Sequence, residues 1–175
     1  MIDRKSLYCI LLTAFACSAP ATGPGSSQYR DLVADQVMTG VNHNSTSDGI
    51  RSATGTFDTV FVFNDSSSYR LKGVSQQLYD AEGRPSATIR SDSGTLNLAT
   101  NAMVALGKVV LLTQKQCRIE SEQLHYDPQT RRVWSDVFTT FVAGERRATA
   151  QSFNADDQFI NVSTRGLNGL LPDDC

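Results

Sequence analysis

The side chains able to do covalent or acid–base chemistry are few here: four cysteines, two histidines and scattered carboxylates in 175 residues. Cys17 has the most informative setting. Arg4 and Lys5 form a charged start, an apolar run extends from Leu7 to Ala16, and Cys17 follows Ala14-Phe15-Ala16 directly. The run is too short to cross a bilayer, which takes ~20 residues, and fits the ~7–15 apolar residues of a signal-peptide core. A thiol at this point reads as a lipoprotein cleavage site, so Cys17 is the expected residue for lipid attachment through a diacylglycerol. Such sites usually carry Leu where Ala14 stands and a small residue where Phe15 stands, so ordinary secretion and an uncleaved anchor remain open alternatives. Cys9 has no apolar run before it and is a poor rival.

Cys117 and Cys175 are left in the remainder of the chain. An oxidising compartment permits a bridge between them, but sequence carries no geometry, and the pairing stays open. Neither has a ligand-spaced neighbour, so no metal site is expected. His43 and His125 stand apart; His125 lies between Leu124 and Tyr126 on a strand and points outward. There is no G-x-S-x-G elbow and no phosphate-binding glycine loop. Asp156-Asp157 and Asp173-Asp174 lie in turn and tail contexts, where solvation explains them. The expectation is therefore no enzyme, no catalytic residue and no cofactor. A net charge of −2, with the basic pairs Arg131-Arg132 and Arg146-Arg147 beside turn residues, excludes a nucleic-acid partner.

The elements that position these residues are strands. Long 3.6-period apolar stripes are absent, and two-residue alternation recurs between turn clusters such as Asp80-Ala81-Glu82-Gly83, Asp127-Pro128 and Ala143-Gly144. The pattern predicts strands at Thr56–Phe63, Tyr69–Leu78, Ala87–Ser91, Thr95–Leu98, Met103–Thr113, Cys117–Ser121, Gln123–Tyr126, Val133–Phe141, Thr149–Phe153 and Phe159–Thr164, with a short helix conceivable only at Tyr29–Val37. The layout reads as a signal peptide over residues 1–17, a Pro/Gly/Ser-rich tether over 18–34, one β domain over 35–166 and a tail over 167–175. Gly94-Thr95-Leu96-Asn97, Leu124-His125-Tyr126-Asp127 and Phe153-Asn154-Ala155-Asp156 recur at a spacing near 30 residues, with Gly55-Thr56-Phe57-Asp58 ahead of them. A fixed period in a strand-rich chain implies one supersecondary unit stacked on copies of itself. Alternation puts Met103, Ala105, Gly107, Val109 and Leu111 on one side of their strand, and Val133, Ser135, Val137, Thr139 and Phe141 on the matching side of the next. Small residues mid-strand allow a sharp bend, and bent strands facing one another make a sandwich or jelly roll.

From Asp35 to Arg165 the sequence resembles the LptC family of lipopolysaccharide export proteins. The resemblance rests on an ordered series: Asp35 to Asn44, Leu71-Lys72-Gly73-Val74, Leu78-Tyr79-Asp80 with Gly83, Ser91-Asp92-Ser93-Gly94, and Gly107-Lys108-Val109-Val110. Glu120 to Pro128, Val133-Trp134-Ser135-Asp136 and Phe153 to Asp156 complete it. It implies an all-β fold, an open V-shaped jelly roll of two antiparallel sheets, and a non-enzymatic role in passing lipopolysaccharide from an inner-membrane ABC transporter to a periplasmic bridge. The lipid-binding interior would then be Phe57, Phe61, Leu71, Ile89, Leu96, Met103, Val109, Leu111, Ile119, Leu124, Tyr126, Val133, Phe141 and Phe153, with Trp134 on the outward side. Partners of the exporter would join by strand addition at open edges near Gln36–Val41 and Phe159–Thr164. Family members often begin with a true transmembrane helix. Here the anchor would be acyl chains on Cys17, on the periplasmic face of the envelope. The family role implies the inner membrane, whereas Ser18 after the cysteine leaves the outer membrane open. The rival reading is a structural or adhesive envelope lipoprotein with a filled core and no lipid cargo.

Overall fold

A computed structural model of the chain describes residues 34–63, 66–173 and 175. Cys17, the expected signal peptide and nearly all of the expected tether lie outside the described residues. Eleven strands make up the regular structure of that part: β1 (Gln36–Ser47), β2 (Ile50–Val62), β3 (Ser68–Tyr79), β4 (Pro85–Asn97), β5 (Met103–Thr113), β6 (Arg118–Asp127), β7 (Arg132–Ser135), β8 (Thr139–Ala143), β9 (Arg146–Ala150), β10 (Ser152–Asp156) and β11 (Val162–Arg165). Every pairing is antiparallel, and β1 through β6 follow one another in a continuous meander. At β6 the ladder forks. Its first half, Arg118–Ser121, pairs with β8 and through it β9, while His125–Asp127 pairs with β7, which leads to β10 and β11.

The long strands stay long because glycine lets them bend without breaking. Gly40 of β1 and Gly73 of β3 have φ of 62° and 61°, and the register sets both opposite Asp58 of β2. A Cβ at Gly73 would overlap the Asp58 carboxylate, so this position demands glycine for space as well as for φ. The same device recurs on β5, where Gly107 (φ 74°) and Lys108 (φ 45°) sit by Asp92 of β4, and the Lys108 ammonium lies 3.4 Å from that carboxylate. Registers slip between Arg90 and Ser93 and between Leu106 and Val109 along this same line.

The bend reverses the alternation. On β3 Leu71 is buried ahead of it and Val74, Gln76 and Leu78 after it; on β4 Ala87 and Ile89 give way to Gly94 and Leu96; on β6 Ile119 gives way to Leu124 and Tyr126. Each strand thereby keeps its apolar side on one shared core as it turns. That core runs from Ala53 and Phe57 on β2 to Phe153 and Ala155 on β10. Tyr126 ties two distant parts of it together, its hydroxyl donating to the Ser52 carbonyl at 3.1 Å.

Several expectations need correction. The predicted pair Ala87–Ser91 and Thr95–Leu98 is one strand, β4, and Cys117–Ser121 with Gln123–Tyr126 is one strand, β6; the bend, not a turn, interrupts their patterns. The predicted strand Val133–Phe141 is two, β7 and β8, on different branches of the fork, and Val137 between them is 37% exposed rather than inward. Of the conceivable helix, residues 34–37 fall within the described residues; none is helical, and Gln36 and Val37 are strand. The hairpin joining β1 to β2 turns on Asp48-Gly49 with φ of 52° and 80°, the two-residue connection with both central residues left-handed.

Cys117 and Cys175 are joined in a disulfide, with Cα atoms 5.1 Å apart. The last residues are thereby fastened to the domain. Thr149 of β9 and Asn168 exchange two backbone hydrogen bonds of 3.0 and 2.8 Å, Leu171 packs on the core, and Arg146 pairs with Asp173.

Candidate functional site

The candidate site is the shared apolar side of the bent sheet. All fourteen side chains expected there are buried, and thirteen belong to the core cluster. The exception is Phe61. It is 2% exposed but lies on the other face of β2, where the Lys72 ammonium stands 5.7 Å from its ring. The reason is the bend at Asp58: Phe57 points inward before it, Val60 after it, so the two-residue count from Phe57 to Phe61 fails.

The remaining thirteen come together across strands. Ile89, Leu111, Ile119 and Phe141 form one row through the pairings of β4 to β5, β5 to β6 and β6 to β8. Leu96, Met103, Tyr126 and Val133 form another, through β4, β5, β6 and β7. Phe141 and Phe153, from different branches of the fork, meet edge to face at 5.4 Å. The sequence set missed Val60, Val74, Leu78 and Phe159, which are also core. The first three fall on the far side of Asp58 and Gly73, and those two residues were the available signal.

Polar groups on this side are mostly satisfied in pairs. Ser52 donates to Ser45 at 3.0 Å, Ser121 and Ser135 share a hydrogen bond of 3.0 Å, and Thr139 donates to the Val137 carbonyl at 2.9 Å. Burial pushes the Tyr126 hydroxyl well above the ordinary tyrosine range, which keeps it a donor to Ser52. Among the described residues, two buried atoms in this region have no hydrogen-bond partner, Gln76 Oε1 and His43 Nε2. Burial also lowers the His43 pKa, favouring the neutral imidazole.

Turns form one lip of the interior. Arg131, between β6 and β7, binds Asp157 at 2.8 Å and reaches the Tyr79 carbonyl at 3.4 Å. Phe159, with φ of 55°, packs into the core from the β10–β11 turn. That turn is built on Asp156, whose carboxylate accepts from the backbone amides of Ile160 and Asn161. Trp134 is outward as expected, stacked on His125 at 4.9 Å. Among the described residues, three strands form borders of the ladder: β1, β11 and β9, the last covered in part by the Asn168 bridge.

Comparison with known proteins then bears on what this interior is for. No curated protein matches the sequence. Among solved structures, the fold is similar to that of LptH, described as the LptA-homologous periplasmic component of the conserved lipopolysaccharide transport device of Pseudomonas aeruginosa. The TM-score is 0.52 at 12% identity, over 69% of this chain and 94% of that one. A likeness at this identity speaks for the fold: all-β, antiparallel and of the LptA jelly-roll type. The model of the lipopolysaccharide-assembly, LptC-related family matches residues 7–163, most of the chain and the whole meander. On that match, this chain belongs to the LptC-related family of lipopolysaccharide-assembly proteins.

Proposed function

We propose that this protein is a non-enzymatic relay that binds lipopolysaccharide on the periplasmic side of the envelope and passes it from an inner-membrane ABC transporter to a periplasmic bridge protein. The observation that carries the reading is the single apolar lining, continuous from β2 to β10, on a sheet bent along a line of glycines. In this reading the bend makes a V-shaped pair of sheets from a stack of similar units of about 30 residues, as the period of the sequence suggests. Acyl chains held between the sheets avoid water, at about 0.8 kcal/mol for each CH₂, while the sugar head stays outside. Neighbouring jelly rolls of the exporter join through backbone pairing at β1 and β11, whose outer edges have no strand beyond them in the ladder among the described residues. A diacylglycerol on Cys17 anchors the chain, residues 18–34 tether it, and the inner membrane is the favoured residence because the transporter lies there.

A second reading has one observation in its favour. The interior is occupied by its own side chains, with Tyr126 bonded to Ser52 and Phe159 at the lip, which suits a structural or adhesive envelope protein without cargo. Photocrosslinking in cells separates the two. Probes at Phe57, Val109 and Phe141 are expected to capture lipopolysaccharide, and a probe at Trp134 is not. Adducts at none of the inward positions would return the protein to the structural reading.

A further inference from the structure

The fork at β6 gives the sheet a third border, β9, and the chain that follows β11 runs back along it. In an antiparallel strand the backbone groups of successive residues point alternately to the two sides. Those of Thr149 are bonded to Asn168 on the side away from β8, so the outward positions of this border are Arg147, Thr149 and Gln151. The returning chain lies against all three. The Gln151 amide donates to the Arg165 carbonyl at 2.9 Å, and Thr149 and Asn168 exchange bonds of 3.0 and 2.8 Å. A Cβ at Gly169 (φ 92°) would stand 3.2 Å from the Arg147 carbonyl oxygen and 3.4 Å from Ala148 Cα, an approach that suits glycine alone. Further on, Leu171 packs on the core, Pro172 is buried, Asp173 pairs with Arg146, and Cys175 is joined to Cys117 at the foot of β6. Burial does not explain the stretch that touches β9. Leu167 and Leu170, flanking Asn168 and Gly169, are 44% and 88% exposed. The stretch buries little of its own apolar surface, yet it occupies the outward side of a border strand.

We propose that residues 166–173, latched by the Cys117–Cys175 disulfide, form an autoinhibitory strap that withholds the β9 edge from pairing with a second copy of this chain. A bare border strand presents unpaired N–H and C=O groups as a template for another strand. β9 is complementary to itself. In an antiparallel pair centred on Thr149, Arg147 stands opposite Gln151, Arg146 opposite Ser152 and Ala148 opposite Ala150, so no like charges oppose one another. The buried Ala148 and Ala150 then meet on the core side of the joined sheets. The covalent latch matters because the strap has few backbone bonds to β9, and a free tail would have to be ordered afresh to compete with an incoming strand. The inference holds whether or not the interior carries lipid. It leaves β1 and β11 as the uncovered borders among the described residues.

The test uses the purified full chain carrying a benzophenone amino acid in place of Arg147, and two variants that lift the strap by different routes. Cys117→Ser with Cys175→Ser removes the latch. Gly169→Val keeps the disulfide and sets a branched side chain against the Arg147 backbone. In each, the Thr149 amide is expected to lose its protection from hydrogen exchange while the amides of β2 and β3 keep theirs. Irradiation is then expected to give a dimer adduct that maps to residues 145–153 of the second copy, and the unmodified chain is expected to give none. If the cysteine variant loses protection throughout, Gly169→Val decides. An adduct at that place in the unmodified chain, or no adduct in a variant that has lost Thr149 protection, overturns the proposal. Thr149 protection surviving in both variants overturns it too, as does loss of protection throughout both, since the strap would then be part of the fold and not a cover over it.

Discussion

Strands β1 to β5 run for 11 to 13 residues each and turn a corner unbroken, whereas from β7 onward no strand exceeds five residues. The front of the molecule keeps its core covered through continuity: Gly40, Gly73 and Gly107 absorb the bend, and Asp58 and Asp92 sit in the space left over two of them. The back, where the ladder forks, lacks that continuity. It is secured by contacts distant in sequence, including the Cys117–Cys175 disulfide spanning 58 residues, the Arg131–Asp157 ion pair and the Phe141–Phe153 ring contact. The same apolar lining is thus supported by local backbone freedom in one half and by covalent and ionic staples in the other. The two halves should accordingly fail in different ways.

The largest effect should come from removing the staple. Replacing Cys117 and Cys175 with serine is expected to cost about 3–4 kcal/mol, because the closed loop no longer restricts the unfolded chain. Urea denaturation measures this, and hydrogen exchange at Thr149 should rise as the Asn168 bridge loosens while the amides of β2 and β3 keep their protection. Uniform loss of protection would show that the halves do not differ.

A smaller cost, about 2 kcal/mol, is expected from Gly73→Ala, which adds backbone strain at positive φ and a clash with Asp58. Adding Asp58→Gly should restore the part due to the clash, and a double-mutant cycle reads that coupling. Purely additive costs would mean that the carboxylate above Gly73 is incidental.

The smallest effect concerns pH, and the sign divides the molecule. In the front, burial pushes the Asp80 carboxyl up, but hydrogen bonds from the Arg84 and Glu82 amides and the Arg84 side chain outweigh it and hold it below the ordinary value of 3.8. Its stabilisation is present above 3.8 and is lost as pH falls through the lower folded value. In the back, burial raises Asp157 above 3.8 despite its bond to Arg131, so its contribution is present below 3.8 and lost as pH rises through the raised value. Urea midpoints measured from about pH 3 to 6 should therefore lose part of their acid-side decline in Asp80→Asn, whereas Asp157→Asn removes a term of opposite slope. Slopes altered in the same direction by both substitutions would contradict the assignment.

How far the interior was legible can be followed residue by residue. Ile89, Leu111 and Ile119 were readable because each lies on a stretch of two-residue alternation next to a partner of the same kind, whereas Phe141 came from its match to Leu111 in the 30-residue spacing, since the strand it was counted along is broken at Val137. Phe61 was misread because Asp58 stands between it and Phe57, and a bend there carries Val60 to the inner side instead. Gln76 escaped notice since an amide in a strand ordinarily faces water; only the reversal after Gly73 puts it on the side of Val74 and Leu78. The β1–β2 hairpin left a readable mark in Asp48-Gly49, between two polar stretches too hydrophilic to look like strands.

The sequence by itself determined that this chain is built of strands, which residues are apolar enough to line an interior, and the ordered motifs that align it with its family. These are local properties, set by alternation, turn residues and composition. Tertiary structure decided which side each half-strand shows to the core, because a few degrees of freedom at Gly73 and Gly107 reverse every residue beyond them. It also decided that Cys117 meets Cys175 and that the ladder divides at β6. Pairings across 58 residues and the choice between two partner strands depend on where the folded sheet brings its ends, which no local pattern encodes.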